Sequence, residues 1–484
     1  MLLTHAAGDD FPQLCRLYQQ VSQKMREEGC HQWLWGNYPN EGLVRHDLDR
    51  QVLYVVRREE EILCAVAVDT EFEDAYAGVN WLYGVRPGTF HRLAISPDAQ
   101  GQGLGRRVVT EVIDLLREMG CDSLRCDTFI DNPRALHLYQ SMGMRRSGEV
   151  YYPGEGDGKA YPTLEMPLTA DCPLLPLRMH PAWRCGALTP WGGTVLKEMY
   201  GKDFPEVPAG ESLEVSCIPG LSSTDDTGVP LNELVASCGA DFAGKYAGKP
   251  FPLLLKLIDA AQSLSVQVHP DDGYAYQQED GKQGKTEAWL ILDAPEGAEL
   301  VYGLVPGVTK QQLEDACHQG AAVEKLLRRV KVRAGDVCYI PAGCVHAIGP
   351  GITLYEIQQS SDVTYRFYDW DRVDVAGNRR ELHLDKALDV SDLTFAARPI
   401  AAPDAPCARV LETPFFTLDV LAGPERVQLP PVKDFALLTV LSGEGVLSWQ
   451  GGSLTLPMGA TVYLPAKCPE VWLSGHGQAA VARP

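Results

Sequence analysis

The sequence predicts a multidomain chain: an α+β domain, then an all-β part with one small helical insertion. Three observations point there. At 484 residues the chain is too long for one ordinary core, and about three domains are expected. Up to about residue 168, helix-like and strand-like apolar spacings alternate. From Leu177 onward, β-rich runs are broken by frequent Gly and Pro.

Composition narrows the function classes. Apolar residues make up 45% and charged residues 22%, as in an ordinary soluble globular protein. The formal net charge of −21 disfavours a nucleic-acid or anionic-membrane partner, since both want a basic face. It leaves room for an anionic small substrate, because local charge can oppose the total. The 14 cysteines are dispersed without a C-x-x-C pair and read as reduced thiols. The start M-L-L-T-H-A-A-G-D-D lacks a basic region ahead of an apolar stretch, and no apolar run approaches the ~20 residues of a membrane span. A cytoplasmic protein is expected.

In chain order, Pro12 to Gly29 has helical spacing at Leu14, Leu17, Val21 and Met25. Val52–Val56 and Ile62–Asp69 read as a hairpin. Phe90–Ile95 is a short strand, followed by S-P-D-A-Q-G-Q-G-L-G-R-R. An apolar stripe at Val108, Val112, Leu115, Leu116 and Met119 then predicts a helix. A further strand is expected over Ser123–Phe129. A glycine-rich turn between a strand and a helix start can bring backbone N–H groups onto an anion, here through Gly101, Gly103 and Gly105. The helix dipole adds to that attraction.

Q-G-Q-G-L-G at this position, with D-N-P-R-A-L-H-L-Y-Q-S-M-G-M after the next strand, resembles the GNAT N-acetyltransferases over roughly the first 150 residues. The resemblance implies acetyl-CoA as cosubstrate. Its pyrophosphate would lie on the amides of Gln100, Gly101, Gly103, Gly105 and Arg106. Backbone around Leu93 and Ile95 would pair with the pantetheine arm. Asn132 would contact the cofactor, and Tyr139 would protonate the departing thiolate. The acceptor amine stays open. Glu71, Glu73 and Asp74 offer it negative charge, although loop acids are ordinarily just solvated.

Both patterns lapse near M-P-L-T-A-D-C-P-L-L-P-L, where prolines gather. The expected division is 1–168, a linker at 169–175, a domain at 176–395 and a last domain at 396–484. Residues 309–329 are expected to form a pair of helices within the third of these.

The chemistry of the second half gathers around L-S-V-Q-V-H-P-D-D. Gln267 and His269 are two apart in a strand-like run and project from one face. Glu287, ending G-K-T-E, and His346, ending G-D-V-C-Y-I-P-A-G-C-V-H, add a carboxylate and a second imidazole. Two imidazoles, a carboxylate and an amide oxygen suit one divalent ion such as Zn2+.

R-C-G-A-L-T-P-W-G-G-T-V-L, S-V-Q-V-H-P-D-D, G-K-T-E-A-W-L-I-L-D-A and Y-E-I-Q-Q-S-S-D-V-T-Y-R-F-Y-D-W-D-R-V follow in this order. Together they resemble the type I mannose-6-phosphate isomerases of the short bacterial kind, from about residue 176 to the end. The resemblance implies cupin barrels, one zinc ion per chain on His269, Glu287, His346 and Gln267, and a sugar phosphate as partner. It implies Arg366 at the catalytic position and Lys256, Ser265 and Arg372 near the substrate. Lys285 lies beside the ligands in sequence. Trp191 and Glu211 match pocket positions, and Glu356 matches an acidic one near the metal. Leu213 and Ile218 depart from the family, which often has tryptophan and histidine there, so the resemblance implies the isomerase class and leaves strict mannose 6-phosphate specificity open.

Leu437–Leu473 repeats the cupin texture, with G-A-T-V-Y-L-P-A-K-C-P-E echoing the segment that ends at His346. Glu470 falls where His346 stood, so this part reads as a degenerate, metal-free barrel. A fused isomerase and acetyltransferase is the leading reading. A sugar-phosphate sensor with an inactive isomerase half is an alternative. An acetyltransferase with accessory barrels is another.

Overall fold

The computed structural model describes residues 2–152, 158–373, 377–401, 407–423 and 426–484. Two compact units are found: Met1–Leu177 with Gln450–Gly452, and Arg178–Trp449 with Ser453–Pro484. Among the described residues no helix is long and apolar enough to cross a membrane. All 14 cysteines are free thiols.

The first unit is built on a seven-stranded sheet. Its strands are β1 (Thr4–His5), β2 (Leu53–Arg58), β3 (Glu61–Asp69), β4 (Pro87–Ile95), β5 (Ser123–Asp127), β6 (Arg145–Val150) and β7 (Tyr161–Pro167), in the spatial order β1-β2-β3-β4-β5-β7-β6. Helices α1 (Phe11–Glu27) and α2 (Glu41–Asp49) pack Leu14, Leu17, Val21 and Val44 on one face. Helices α3 (Leu104–Glu118) and α4 (Pro133–Ser141) cover the other. The predicted stripe holds at Val108, Val112 and Leu116, all fully buried, while Met119 lies beyond the last turn of α3 and is 47% exposed.

β4 and β5 are the parallel pair, and their register runs only from Pro87 opposite Ser123 to Thr89 opposite Arg125. Beyond it β4 continues to Ile95 on its β3 side, and the ends of the two strands open a cleft. The stretch read as a linker is packed on this unit: Cys172, Leu174 and Leu175 are buried, and the Leu175 N–H donates to the Leu82 carbonyl at 2.7 Å. Its apolar side chains favour burial over a free tether.

The second unit carries two antiparallel sheets that face each other, a C-terminal sheet, and a two-stranded hairpin of Cys217–Ile218 and Leu221–Ser222. One has seven strands, ordered Ile400–Ala401, Asp336–Ile340, Glu287–Asp293, Ile352–Gln359, Leu253–Ala260, Ala209–Val215 and Ala182–Cys185. The five-stranded sheet is ordered Leu327–Lys331, Glu299–Leu304, His346–Ala347, Val266–Val268 and Tyr365–Tyr368. Trp289, Ile291 and Leu354 of the first pack with Leu300 and Tyr302 of the second in one core. The helical insertion differs from expectation. Lys310–Cys317 is a helix capped by Thr309 and Gln312, but Gly320–Leu326 is a 3-10 turn and Leu327–Lys331 is a strand. Pairing of that strand with Glu299–Leu304 outweighs its helical spacing.

The C-terminal sheet is led by the long strands Ala436–Trp449 and Val471–Arg483. It is tied to the seven-stranded sheet by a buried polar knot. Lys202 Nζ donates to Glu214 Oε2 and to the Gly459 carbonyl, each at 2.7 Å, and Thr461 Oγ1 donates to Glu214 Oε2 at 3.0 Å. A buried charge so fully satisfied is tolerated where a lone one would not be.

Candidate functional site

The second unit brings the side chains read as candidate ligands together between the facing sheets. Glu287 opens a strand of the seven-stranded sheet. Gln267 and His346 are direct cross-strand partners in the five-stranded sheet, and Arg366 is opposite Gln267 on its other side. His269 follows the end of the Val266–Val268 strand. One ligand atom from each of His269, Glu287 and His346 lies within 4.8 Å of the others, and no other such group occurs among the described residues. Glu470, where the sequence repeat expects a ligand, is exposed.

The imidazoles are oriented from behind. His269 Nδ1 is 2.9 Å from the Val363 carbonyl, and His346 Nδ1 is 2.9 Å from the Cys344 carbonyl. A carbonyl only accepts, so both Nδ1 atoms carry hydrogen and both Nε2 lone pairs face inward. His346 Nε2 is 3.3 Å from Glu287 Oε1, and His269 Nε2 is 3.5 Å from Glu287 Oε2. Gln267 turns its amide nitrogen to His346 Nε2 at 3.2 Å and its oxygen to Ser265 Oγ at 3.4 Å. A half-turn of the amide exchanges the two and offers the oxygen inward.

Charge here favours a cation. Both carboxylate oxygens of Glu287 are buried without a well-formed hydrogen bond. Burial alone would raise that carboxyl, but Lys285 and the imidazoles hold it well below the usual range. Burial and Lys285 push His269 down to about 3, and burial lowers His346 too, so both stay neutral and able to ligate. Lys285 Nζ reaches Glu287 Oε2 at 2.8 Å and His269 Nε2 at 3.0 Å. The donor set, with its fully buried carboxylate, fits a divalent metal.

A cavity opens beside these groups. Trp191, Glu211, Lys256, Ser265, Gln267 and Glu356 line it, and so do Lys285 and Arg366, as the sequence expects. Lys256 Nζ lies 3.0 Å from Glu356 Oε1 and 3.8 Å from Glu211 Oε1. Burial works against the Lys256 charge, but the two carboxylates outweigh it and hold its proton more tightly than usual. Burial and the nearby Glu287 charge raise the Glu356 carboxyl. Trp289 Nε1 donates to Glu356 Oε2 at 2.9 Å.

Arg372 is a correction. It does not line the cavity. Its guanidinium donates to the Ser263 carbonyl at 2.6 Å and to Asp369 at 3.3 Å. Trp370 and Asp371 both adopt left-handed backbone and turn the chain before it. Two unforeseen arginines take such a place: Arg184, 3.3 Å from Glu211, and Arg380, doubly bonded to Asp369. Arg184 is the cross-strand partner of Glu211, a pairing invisible until register is known. Leu213 is fully buried and Ile218 is half-buried in a two-stranded hairpin, and neither lines the cavity.

In the first unit one large cavity is lined by Leu93, Ile95, Gln100, Gly101, Gly103, Gly105, Arg106, Asn132 and Tyr139, every residue the sequence assigns to the cofactor. Gly101 and Gly103 have φ of +74° and +76°, and Gly103 caps α3, so the free N–H groups of its first turn begin at this loop. A Cβ on Gly105 would come within 3.2 Å of Ile95 and Leu138, so the helix start packs close. Asn132 caps α4 by accepting from the Ala135 N–H at 3.2 Å and donates to Gln32 at 2.9 Å. Tyr139 is 6% exposed and stacks edge-on against Phe90, and burial holds its phenol well above the ordinary value. Glu73 lines this cavity; Glu71 instead pairs with Arg50 at 2.9 Å.

Comparison with known proteins agrees with both units. The acetyltransferase (GNAT) family matches residues 28–144, the catalytic domain of type I phosphomannose isomerase matches 187–288, and the mannose-6-phosphate isomerase cupin domain matches 409–484. A mannose-6-phosphate isomerase of Streptococcus mutans is 39% identical over 285 residues, which are 57% of this chain and 88% of that one. Mannose-6-phosphate isomerase ManA of Bacillus subtilis is 37% identical over 303 residues, 60% of this chain and 94% of that one. The crystal structure of the mannose 6-phosphate isomerase from Bacillus subtilis superposes with a TM-score of 0.60 at 32% identity, over 64% of this chain and all of that one. The chain belongs to the mannose-6-phosphate isomerase family, with a GNAT acetyltransferase domain ahead of its cupin-type isomerase part.

Proposed function

We propose that the second unit interconverts mannose 6-phosphate and fructose 6-phosphate with one zinc ion, and that the first unit transfers an acetyl group from acetyl-CoA to an amine. The observation that carries the isomerase reading is the convergence of His269, Glu287 and His346 on one centre, all fully or almost fully buried. These three, with the oxygen of Gln267, would hold the ion, which supplies Lewis acidity to sugar oxygens as they gain charge.

The chain's own residues do the rest. The reaction moves a proton between C1 and C2 through an enediolate, so negative charge grows on two oxygens. Arg366 and Lys256 are fixed cations at the cavity and stabilise that charge. Glu356, a weaker acid than usual, can hold or release a proton at Oε1, beside Lys256. Arg184 and Arg380 supply planar N–H forks for the phosphate of the sugar. The buried pair with Glu211 keeps Lys256 charged for the same anion.

The acetyl-transfer reading rests on the glycine loop at the start of α3, inside a cavity shared with Tyr139. Tyr139 keeps its proton until a thiolate leaves, then supplies it.

The test is fructose 6-phosphate formation by the full chain, before and after chelation and with zinc restored. Turnover lost on chelation and regained with zinc is expected. Turnover indifferent to chelation would remove the metal from the reading, and tight sugar-phosphate binding without turnover in metal-replete protein would remove the isomerase activity.

A further inference from the structure

The strand Tyr365–Tyr368 runs into the turn D-W-D-R, whose two ends meet the isomerase cavity in different ways. Trp370 and Asp371 have φ of +56° and +53°, and the chain folds back so that the Arg372 N–H donates to the Asp369 carbonyl at 3.0 Å. The turn is pinned from outside the cavity. Trp370 Nε1 donates to the Leu264 carbonyl and Arg372 Nη2 to the Ser263 carbonyl, each at 2.6 Å. Val373 then forms a β-bridge with Arg379, so the chain returns and brings Arg380 back to the level of Arg372.

Asp369 stands between the two arginines. It is 6% exposed and does not line the cavity. Arg380 meets it edge-on: Nε donates to Oδ2 at 2.7 Å and Nη2 to Oδ1 at 2.6 Å. Arg372 makes one longer bond, from Nη1 to Oδ1 at 3.3 Å. A two-point grip fixes the plane of a guanidinium as well as its place. It uses the Nε–Nη2 edge and leaves Nη1 directed away from Asp369. Arg380 lines the cavity with Arg184 and Arg366, whereas Arg372 does not. Burial, and then the like charge of Arg380, loosen the Arg366 proton, while Asp369 opposes that. Guanidiniums gathered at one wall repel one another until an anion lies among them. A phosphate dianion, with several acceptor oxygens, matches their forks.

We propose that Asp369 is a positioning residue for the substrate's phosphate: it fixes Arg380 at the cavity wall, so that Arg380 makes the substrate contact that the family resemblance predicts for Arg372. This rests on the isomerase reading above. Asp369 lies behind the arginine and acts only through it. A fork already held in plane loses little rotamer freedom when the phosphate arrives, which lowers the cost of binding. The phosphate is remote from C1 and C2, where the proton moves, so this contact strengthens the bound substrate and the transition state alike. Arg372 instead steadies the turn. Its bond to Ser263 holds the chain two residues before Ser265 of the cavity wall.

The test uses the full zinc-loaded chain. Mannose 6-phosphate affinity is read by calorimetry, kcat and KM from fructose 6-phosphate formation, and zinc content by metal analysis. Arg380→Gln is expected to raise KM and the dissociation constant about tenfold or more, the loss of one charged contact, with kcat changed less. Asp369→Asn keeps the size of the side chain and is expected to raise both by a smaller factor. Adding Asp369→Asn to Arg380→Gln should raise neither further, because the residue it positions is already gone. Arg372→Gln should raise KM less than Arg380→Gln does. Zinc retained in every variant shows that they fold. An unchanged KM in Asp369→Asn would overturn the proposal. So would a further rise in the double variant, which would make Asp369 a general support of the fold. A larger effect of Arg372→Gln than of Arg380→Gln would return the contact to Arg372 and overturn it too. Mannose 6-phosphate bound without turnover by the unaltered chain would defeat the isomerase reading alone, and the order of the dissociation constants would then decide the role of Asp369.

Discussion

Lys256 Nζ and Glu356 Oε1 face each other at 3.0 Å, on directly paired positions of adjacent strands, and both side chains are almost fully buried. Such a pair is neutral in sum but costly to break, because one charge then stays buried alone. Lys256→Met is therefore expected to lose about 3 kcal/mol of stability, read by urea denaturation, since Glu356 and Glu211 lose their shared cation. Adding Glu356→Gln should recover part of that loss although activity stays absent. An unchanged midpoint in Lys256→Met would mean that the pair is not closed in solution.

The two units allow a clean separation of effects at the glycine loop. Gly103 has φ of +76°, and no atom lies within 4 Å of the place a Cβ would take, so only backbone conformation opposes a side chain there. Gly103→Val puts a β-branched residue into a left-handed position and is expected to distort the first turn of α3. Acetyl-CoA affinity should fall about tenfold or more, equivalent to roughly 1.4 kcal/mol. Fructose 6-phosphate formation should be unaffected. Equal acetyl-CoA affinities in the two proteins would remove the loop from the cofactor site.

His91 makes the first unit sensitive to acid. Burial and the adjacent Arg92 push its imidazole down to about 4. Between about pH 6.5 and 4 the unfolded chain carries a proton at this position that the folded chain does not. Stability contributed here is thus present above about pH 6.5 and is lost as pH falls toward 4, by about 1.4 kcal/mol per unit at most. Comparing urea denaturation at pH 7 and pH 5 checks this: His91→Gln should lose less stability on acidification than the unaltered chain. Equal losses would show that His91 is protonated in the folded protein.

Much of this was legible in the sequence, and the failures have physical causes. The nearness of Gln267 and His269 was readable because period-two spacing puts them on one face whatever the sheet around them. The glycine loop was readable because Gly101 and Gly103 need backbone conformations that few other residues tolerate. Arg184 and Arg380 were not readable, since their places depend on cross-strand register and on a turn, neither of which is a local property. The end of the expected helix pair, residues 327–329, falls in the strand Leu327–Lys331, because L-R-R satisfies either period over so short a span. A neighbouring strand, Glu299–Leu304, decides the matter.

Arg366 tests whether geometry or charge alone serves the isomerase cavity. It is opposite Gln267 in register, its guanidinium faces the cavity, and its Nε is buried without a hydrogen bond. An orphaned N–H at that place is a donor kept for a ligand. Lysine would keep the charge but not the planar fork, and its ammonium presents a single point. Arg366→Lys is expected to retain zinc, since no ligand atom is altered, and to reduce kcat about a hundredfold through loss of an oriented donor to the developing oxyanion. KM should change less than kcat if the fork acts chiefly in the transition state. Metal analysis beside the coupled assay decides it. Near-normal kcat would reduce Arg366 to a general positive charge, and loss of zinc would mean that it acts by holding Gln267 and the metal site in place.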